Sequence, residues 1–106
     1  MYAQLINIRL KKDAVEEFAK IFETQVIPIL SKQEGFRHAL NLVTRDRTEV
    51  TGISFWTKRQ YVENYSDTDY AEVLKTLTNV IEGTPEVKSF IVASSTLRKN
   101  PAVQPV

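Results

Sequence analysis

The chain has 106 residues, 42% hydrophobic and 25% charged, which are the size and composition of one soluble domain. Its 14 Lys and Arg residues are balanced by 13 Asp and Glu, so we expect no nucleic-acid surface. The absence of cysteine excludes disulfides, thiolate chemistry and sulfur-ligated metals, and a single histidine excludes a His-rich metal site within one chain, whereas a site of carboxylates alone stays open. No segment approaches the roughly 20 apolar residues that cross a bilayer, and residues 1–10 lack a signal-peptide pattern, so we expect a cytoplasmic protein without membrane contact.

The first two segments differ in their hydrophobic period. Residues 2–10 carry apolar side chains on both parities, which predicts a strand with both faces partly buried. Between residues 15 and 29, apolar residues recur at steps of three and four, which predicts an amphipathic helix that Pro28 kinks and Gly35 ends. Asp13 followed by Glu16 predicts a capping box at the start of this helix.

The middle of the chain predicts a hairpin and a second helical region. Residues 36–44 and 50–57 have strand composition and are joined by a polar turn. A short helix is expected to end near Tyr65, and residues 66–69 interrupt it. Residues 70–81 then form the clearest amphipathic stripe of the chain.

The last segment is predicted to be a strand over residues 87–97, after Gly83 and Pro85 end the second helical region. The domain would therefore cover residues 1–97 and be followed by an extended or disordered tail, 98–106.

The resulting order, β-α-β-β-α-β, predicts an α+β ferredoxin-like fold in which both helices pack on one face of a four-stranded antiparallel sheet. Every predicted strand carries apolar residues on both parities, but two short helices cover only one face. The other face would expose a large apolar patch. A homodimer in which the two sheets face each other covers it, so we expect a dimer.

Three segments resemble the antibiotic biosynthesis monooxygenase (ABM) family: VIPILSKQEGF at residues 26–36, ALNLV at 39–43 and SFWTKRQYVENY at 54–65. The resemblance extends over roughly residues 1–94. It implies a dimeric α/β barrel with one cleft per subunit between sheet and helices. Characterised members oxygenate aromatic or quinol-like compounds, often without metal or flavin. In that chemistry the substrate supplies the electrons, and the protein removes a phenolic proton, holds the anion and admits dioxygen to a dry pocket.

One branch of the same family degrades haem with an Asn on the first strand and with a Trp and a His from the second helical region. Asn7 matches the first of these residues. The aligned Trp position falls at about Tyr65 and the aligned His position near Lys75. We therefore expect no haem, and the resemblance to the metal- and flavin-free members of the family implies no other cofactor.

Six residues are candidates for the site of such an enzyme. Asn7 would hydrogen-bond an anion or oxygen, His38 is the obvious general base, and the hydroxyl of Tyr65 would donate to a phenolate. Aromatic rings would form the wall of the cleft. The catalytic candidates are Asn7, Tyr65 and His38, and the substrate-binding candidates are Trp56, Tyr70 and Phe22.

Each candidate also has a purely structural explanation. Asn7 can be a buried amide satisfied by backbone, and Trp56 and the tyrosines can be core or dimer contacts. His38 shares its parity with Phe36 and Leu40, which predicts that it faces the barrel interior. The alternative function is therefore a non-catalytic dimer that binds a small apolar molecule or only stabilises itself.

Two other classes with this strand order are excluded. RNA-recognition modules need two aromatic residues on one strand face, whereas Phe55 and Trp56 are adjacent and point to opposite faces. Acylphosphatase-like enzymes need a phosphate-binding loop after the first strand, and residues 11–13 contain no glycine to form one.

Overall fold

The computed structural model describes residues 1–96, so the predicted tail and the predicted strand end at residue 97 lie outside the described residues. In chain order the elements are β1 (Tyr2–Leu10), α1 (Val15–Ile21), a π-helical segment (Phe22–Val26), α2 (Ile27–Ser31), β2 (Phe36–Val43), β3 (Glu49–Trp56), α3 (Arg59–Thr68), α4 (Tyr70–Leu77) and β4 (Ile81–Ile91).

The four strands form one antiparallel sheet in the order β2-β3-β1-β4. The core lies on one side of this sheet, where Ile8, Val50 and Trp56 pack against apolar residues from the helices. We call this side the helix-side face and the opposite side the open face. The ferredoxin-like α+β fold predicted from the sequence is confirmed.

The first helical region runs from residue 15 to 31 with a π-helical segment in the middle. Pro28 lies in the first turn of α2, lacks an N–H, and would clash with a carbonyl four residues before it in a regular helix. The preceding N–H, from Ile27, instead donates to the carbonyl of Phe22, five residues back. The predicted kink at Pro28 thus takes the form of a wider turn, and the helix continues.

The predicted capping box at the start of α1 is wrong. Asp13 adopts a left-handed conformation with φ +57°, and Ala14 occupies the N-cap position without a side-chain cap. The Glu16 carboxylate accepts a hydrogen bond from Arg47 of the β2–β3 turn and so is not available to the helix end. Both side chains of this ion pair are exposed, so its contribution to stability is small.

Gly35 connects the end of the first helical region to β2, and its position requires glycine for two reasons. Its φ is +82°, which other residues rarely adopt, and a Cβ atom there would lie 2.1 Å from Cδ2 of Tyr61. The Tyr61 side chain therefore occupies the space that a side chain at residue 35 would need.

The second helical region and the last strand differ in their bounds from the prediction. α3 continues through residue 68, so the interruption is confined to Asp69, and α4 ends at Leu77, well before residue 81. β4 begins at Ile81 and contains both Gly83 and Pro85. An edge strand tolerates proline, and the register of β4 against β1 shifts at this point.

No helix within residues 1–96 is long and apolar enough to cross a membrane. The cytoplasmic location expected from the sequence stays a prediction.

Candidate functional site

Four aromatic rings form a connected cluster at one end of the helix-side face. Trp56 lies opposite Phe36 in the β2–β3 register, and their ring centroids are 5.5 Å apart in an edge-to-face arrangement. Tyr65 of α3 stacks on Trp56 at 5.3 Å with an interplanar angle of 30°, and Tyr70 of α4 meets Tyr65 edge-on at 6.1 Å. We call Phe36, Trp56, Tyr65 and Tyr70 the aromatic cluster.

Tyr65 is the more deeply buried of the two tyrosines in this cluster. Tyr65 is 4% exposed, and its hydroxyl has no hydrogen-bond partner among residues 1–96. Burial raises the pKa of Tyr65, and the neighbouring Tyr70 and Asp69 raise it further. The phenol therefore stays protonated at neutral pH and can donate a hydrogen bond, but it cannot serve as a base.

Polar side chains lie beside the rings on the same face. Ser54 lies opposite Gln4 of β1, and its hydroxyl oxygen accepts a hydrogen bond of 2.9 Å from Nε1 of Trp56. Gln4 is 8% exposed and donates from Nε2 to the Ser66 hydroxyl at 3.1 Å. Asn41 of β2 is half-buried one row further along the sheet. We call Gln4, Asn41 and Ser54 the polar strip.

The sequence prediction missed all three residues of the polar strip. Gln4 and Ser54 share their parity with Trp56, which faces the core, and a polar residue at a core-facing strand position was the signal available for finding them. Buried polar groups need hydrogen-bond partners, and the hydrogen bond from Trp56 to Ser54 fixes the orientation of the indole ring.

The junction between α3 and α4 lies at the edge of the aromatic cluster. Asp69 separates the two helices and accepts a hydrogen bond of 2.7 Å from Nε2 of Gln33, which follows α2. The same amide donates to the carbonyl of Ile29 at 3.0 Å. Tyr65 and Tyr70 lie on either side of this junction, so the Gln33 hydrogen bond connects the end of α2 to the edge of the cluster.

Phe22, the third residue predicted for the cleft wall, lies in the π-helical segment, which packs against α4. Its ring centroid is 6.0 Å from that of buried Phe18, and it is itself partly buried. Among the predicted wall residues, Trp56 and Tyr70 are both joined to Tyr65 by ring contacts. Phe22 belongs to the same side of the sheet.

Asn7 lies on the open face, on the other side of the sheet from Tyr65. It faces Thr51, whose hydroxyl donates to Oδ1 of Asn7 at 2.8 Å. Asn7 also borders an open groove of about 650 Å³ next to the irregular part of β4. Three glutamates against one arginine make this groove unfavourable for an anion such as a phenolate. Its charged residues are Arg9, Glu49, Glu82 and Glu86.

His38 also lies on the open face, where it is exposed and its ring centroid is 6.2 Å from that of Phe55. His38 shares the open face with Leu40, as their common parity predicts, but the expectation that Phe36 shares this face is wrong. The β2–β3 register shifts between residues 36 and 38, so Phe36 packs on Trp56 from the helix side while His38 faces the other way.

The three predicted catalytic residues therefore do not converge in one subunit. Strand geometry puts Asn7 and His38 roughly 16 Å apart on the open face, and Tyr65 lies across the sheet from both. Their chemical roles remain predictions. In the part of the chain that the structure describes, no three His, Cys, Asp or Glu side chains are grouped so as to hold a metal ion.

The fold is that of small ABM-type monooxygenases. It matches a monooxygenase, ActVA-Orf6, from Streptomyces coelicolor in complex with nanaomycin D with a TM-score of 0.74, at 17% identity over 89% of this chain and 88% of that one. SnoaB, a cofactor-independent oxygenase from Streptomyces nogalater, matches with a TM-score of 0.73 at 18% identity, over 89% and 94% of the two chains.

A third solved structure, described as an antibiotic biosynthesis monooxygenase from Bordetella bronchiseptica, matches with a TM-score of 0.75 at 14% identity, over 88% of this chain and 97% of that one. At such identities these likenesses show the fold alone. No curated protein matches the sequence. The profile of the antibiotic biosynthesis monooxygenase family matches residues 1–91, so the chain belongs to the ABM family and the resemblance noted from the sequence is confirmed.

Proposed function

We propose that this protein is a cofactor-independent monooxygenase that acts on a small aromatic or quinol-like compound bound at the aromatic cluster. The observation that carries the proposal is the hydroxyl of Tyr65, which is buried against Trp56 without a partner among the described residues. A buried hydroxyl needs a hydrogen-bond partner, and the oxygen of a phenolic ligand would supply one. The neighbouring rings suit the apolar part of such a ligand.

In the proposed reaction the substrate, as its phenolate, supplies the electrons to dioxygen. A ring carbon–oxygen bond forms and the oxygen–oxygen bond breaks, so that one oxygen atom is retained in the product. The other oxygen atom leaves as water with the two hydrogen atoms that the substrate loses as it becomes a quinone. The role of Tyr65 is to donate a hydrogen bond to the phenolate oxygen, because its raised pKa keeps it protonated. A donor of this kind stabilises developing negative charge most strongly where water is excluded.

Access to the cluster would require movement at its edge. Trp56 is fully buried, and the half-buried Tyr70 lies next to the junction at Asp69. The hydrogen bond from Gln33 to Asp69 holds this junction closed. We propose that a ligand enters by displacing the Tyr70 side of the junction, and that closure behind it excludes water.

A non-catalytic dimer of the same fold is the second candidate. It is favoured by the packing of Trp56, which has no exposed surface and is in contact with aromatic rings from both β2 and α3. In that case the cluster would be part of the core and bind no substrate.

Oxygen uptake distinguishes the two candidates. The purified protein, treated with chelator, is incubated with a panel of phenols and hydroquinones, and products made under ¹⁸O₂ are analysed by mass spectrometry. We expect uptake with at least one compound and one labelled oxygen atom per product molecule. Binding that raises the melting temperature without any uptake would favour the non-catalytic candidate and contradict the enzymatic one.

We also propose that the open face pairs with a second copy of the chain. Apolar side chains occupy this face on the three neighbouring strands β2, β3 and β1, and Leu42 is 53% exposed. Apolar patches of this kind on small proteins mark contact surfaces. The other apolar members of the face are Ala3, Leu5, Leu40, Ile53 and Phe55, together with Phe90 of β4, which is 47% exposed.

Light scattering at micromolar concentration tests this pairing. A Leu42→Lys variant should have the mass of a monomer, because a charge would be buried without a partner at the interface. Ile27→Lys is the matched control, since Ile27 is 41% exposed but belongs to α2 on the other side of the sheet. A monomeric wild type, or equal masses for the two variants, would contradict the proposed interface.

A further inference from the structure

Asn41 occupies an unusual position at the end of the polar strip. It lies on β2 directly opposite Gly52 of β3, on the helix-side face. A Cβ atom at residue 52 would lie 2.9 Å from Oδ1 of Asn41 and 3.0 Å from Cγ2 of Ile6. Because Gly52 has no side chain, the amide oxygen of Asn41 fits beside it without a clash.

The amide of Asn41 has unused hydrogen-bonding capacity. An asparagine side chain offers two donors and an acceptor with two lone pairs. Within residues 1–96, no side-chain hydrogen bond involves Asn41, whereas Gln4 of the same strip donates to Ser66. Because Oδ1 is directed at Gly52, the NH₂ group is the end of the amide left free to donate.

Asn41 is separated from the aromatic cluster by Ser54. Gly52, Ser54 and Trp56 follow one another on the helix-side face of β3, so Asn41 lies two rows, about 13 Å along the strand, from Trp56. Asn41 and Tyr65, which stacks on Trp56, thus lie at opposite ends of one surface of aromatic and polar side chains. Each has a hydrogen-bond donor without a partner in the described chain.

We infer that Asn41 is a specificity-determining residue whose NH₂ group donates to a second oxygen of the aromatic substrate, distinct from the oxygen held by Tyr65. This inference rests on the proposed function of the helix-side cluster. Gly52 acts as a positioning residue, because its missing side chain seats the amide. A compound with one oxygen substituent bound to Tyr65 cannot also accept a hydrogen bond from Asn41, whereas a compound with a second oxygen can.

The test compares the affinities of 1-naphthol and a set of dihydroxynaphthalenes for the full chain. The sequence contains one tryptophan, so the single indole N–H resonance of Trp56 in a ¹H–¹⁵N spectrum reports binding at the cluster directly. We expect at least one dihydroxynaphthalene to bind wild type more tightly than 1-naphthol, by about 3- to 10-fold, the value of one hydrogen bond.

Three variants assign this preference to the NH₂ group of Asn41. Asn41→Ala removes the amide and should abolish the preference. Asn41→Asp keeps the shape but, when ionised, has no donor, so it should abolish the preference as well. Gly52→Ala should reduce it by displacing the amide, and should have no further effect on the preference in the Asn41→Ala background. A merely structural role would change stability while leaving the ratio of the two affinities unchanged.

The outcomes separate this inference from the proposed function. An unchanged ratio in Asn41→Ala, or a ratio retained in Asn41→Asp, would overturn the assignment of Asn41 and leave the oxygenase proposal standing. A ratio that is lost in both variants, in a protein that takes up no oxygen, would support Asn41 as a ligand contact and contradict the oxygenase. Failure of wild type to bind any of the naphthols would overturn the assignment of Asn41, and oxygen uptake with the panel of phenols and hydroquinones would still decide the oxygenase proposal.

Discussion

Replacing Tyr65 by phenylalanine has opposite expected effects on stability and on function. The substitution removes one oxygen atom from a residue that is 4% exposed and keeps the ring that stacks on Trp56. Leaving a buried polar group without a hydrogen bond costs about 1–3 kcal/mol. Part of this gain is offset by the small void left behind, so we expect the free energy of unfolding to rise by about 1 kcal/mol.

Urea denaturation followed by far-ultraviolet circular dichroism measures this change at a fixed protein concentration, since pairing would make stability concentration-dependent. The midpoint should rise with an unchanged slope. Tyr61→Phe is the matched control, because Tyr61 is a partly buried tyrosine of the same helix outside the cluster. Its change should stay within about 0.5 kcal/mol. Destabilisation of Tyr65→Phe by more than about 1 kcal/mol would mean that the hydroxyl already has a hydrogen-bond partner, contrary to the structure.

Three further predictions concern the hydrogen bond to Ser54, the packing at Gly35 and the ionisation of Tyr65. Ser54→Ala should destabilise by about 1–3 kcal/mol and shift the indole N–H resonance, because the Nε1 donor of Trp56 loses its acceptor; an unshifted resonance would exclude this hydrogen bond. In urea denaturation, Gly35→Ala should lower the free energy of unfolding clearly more than Gly83→Ala does. Both glycines have positive φ, but an added Cβ meets a neighbouring side chain only at residue 35. Equal losses of stability would contradict the contact between Gly35 and Tyr61. The folded-state pKa of Tyr65 is raised, so folding favours the protonated phenol over the ionised one. The stability that depends on this protonation is fully present below the unfolded pKa of about 10 and is lost as pH rises toward the folded value. Wild type should therefore lose more stability above pH 10 than Tyr65→Phe, and equal losses would show that Tyr65 does not cause the effect.

The sequence was sufficient to predict the fold because hydrophobic periods of two and of three to four persist through whole elements. The amphipathic positions Phe18, Val73 and Leu77 are all buried on the helix side, and the β-α-β-β-α-β order defines the sheet topology. Family membership was also recognisable from short segments, although none of them identifies a catalytic residue.

Two irregularities in the strands explain most of what the sequence could not predict. A register shift near Arg37 reverses the face of every later residue of β2 relative to Phe36, and a period-two pattern contains no signal for such a shift. The shift beside Gly83 similarly admits Gly83 and Pro85 to β4, where isolated breakers had predicted a helix end. Whether Asn7 and His38 lie on the same side of the sheet as Tyr65 depends on how distant strands pair. A local sequence pattern holds no information on that pairing.

The central claim is that the helix-side aromatic cluster is an oxygenase site in which the Tyr65 hydroxyl holds the substrate anion. The most direct test is the initial rate of oxygen uptake with the best phenol or hydroquinone, measured for wild type, Tyr65→Phe and the control Tyr61→Phe. We expect a rate lowered by about 100-fold in Tyr65→Phe, the effect of losing one such donor, and a rate close to wild type in the control. Equal uptake by all three proteins would contradict the claim and move the site away from the cluster.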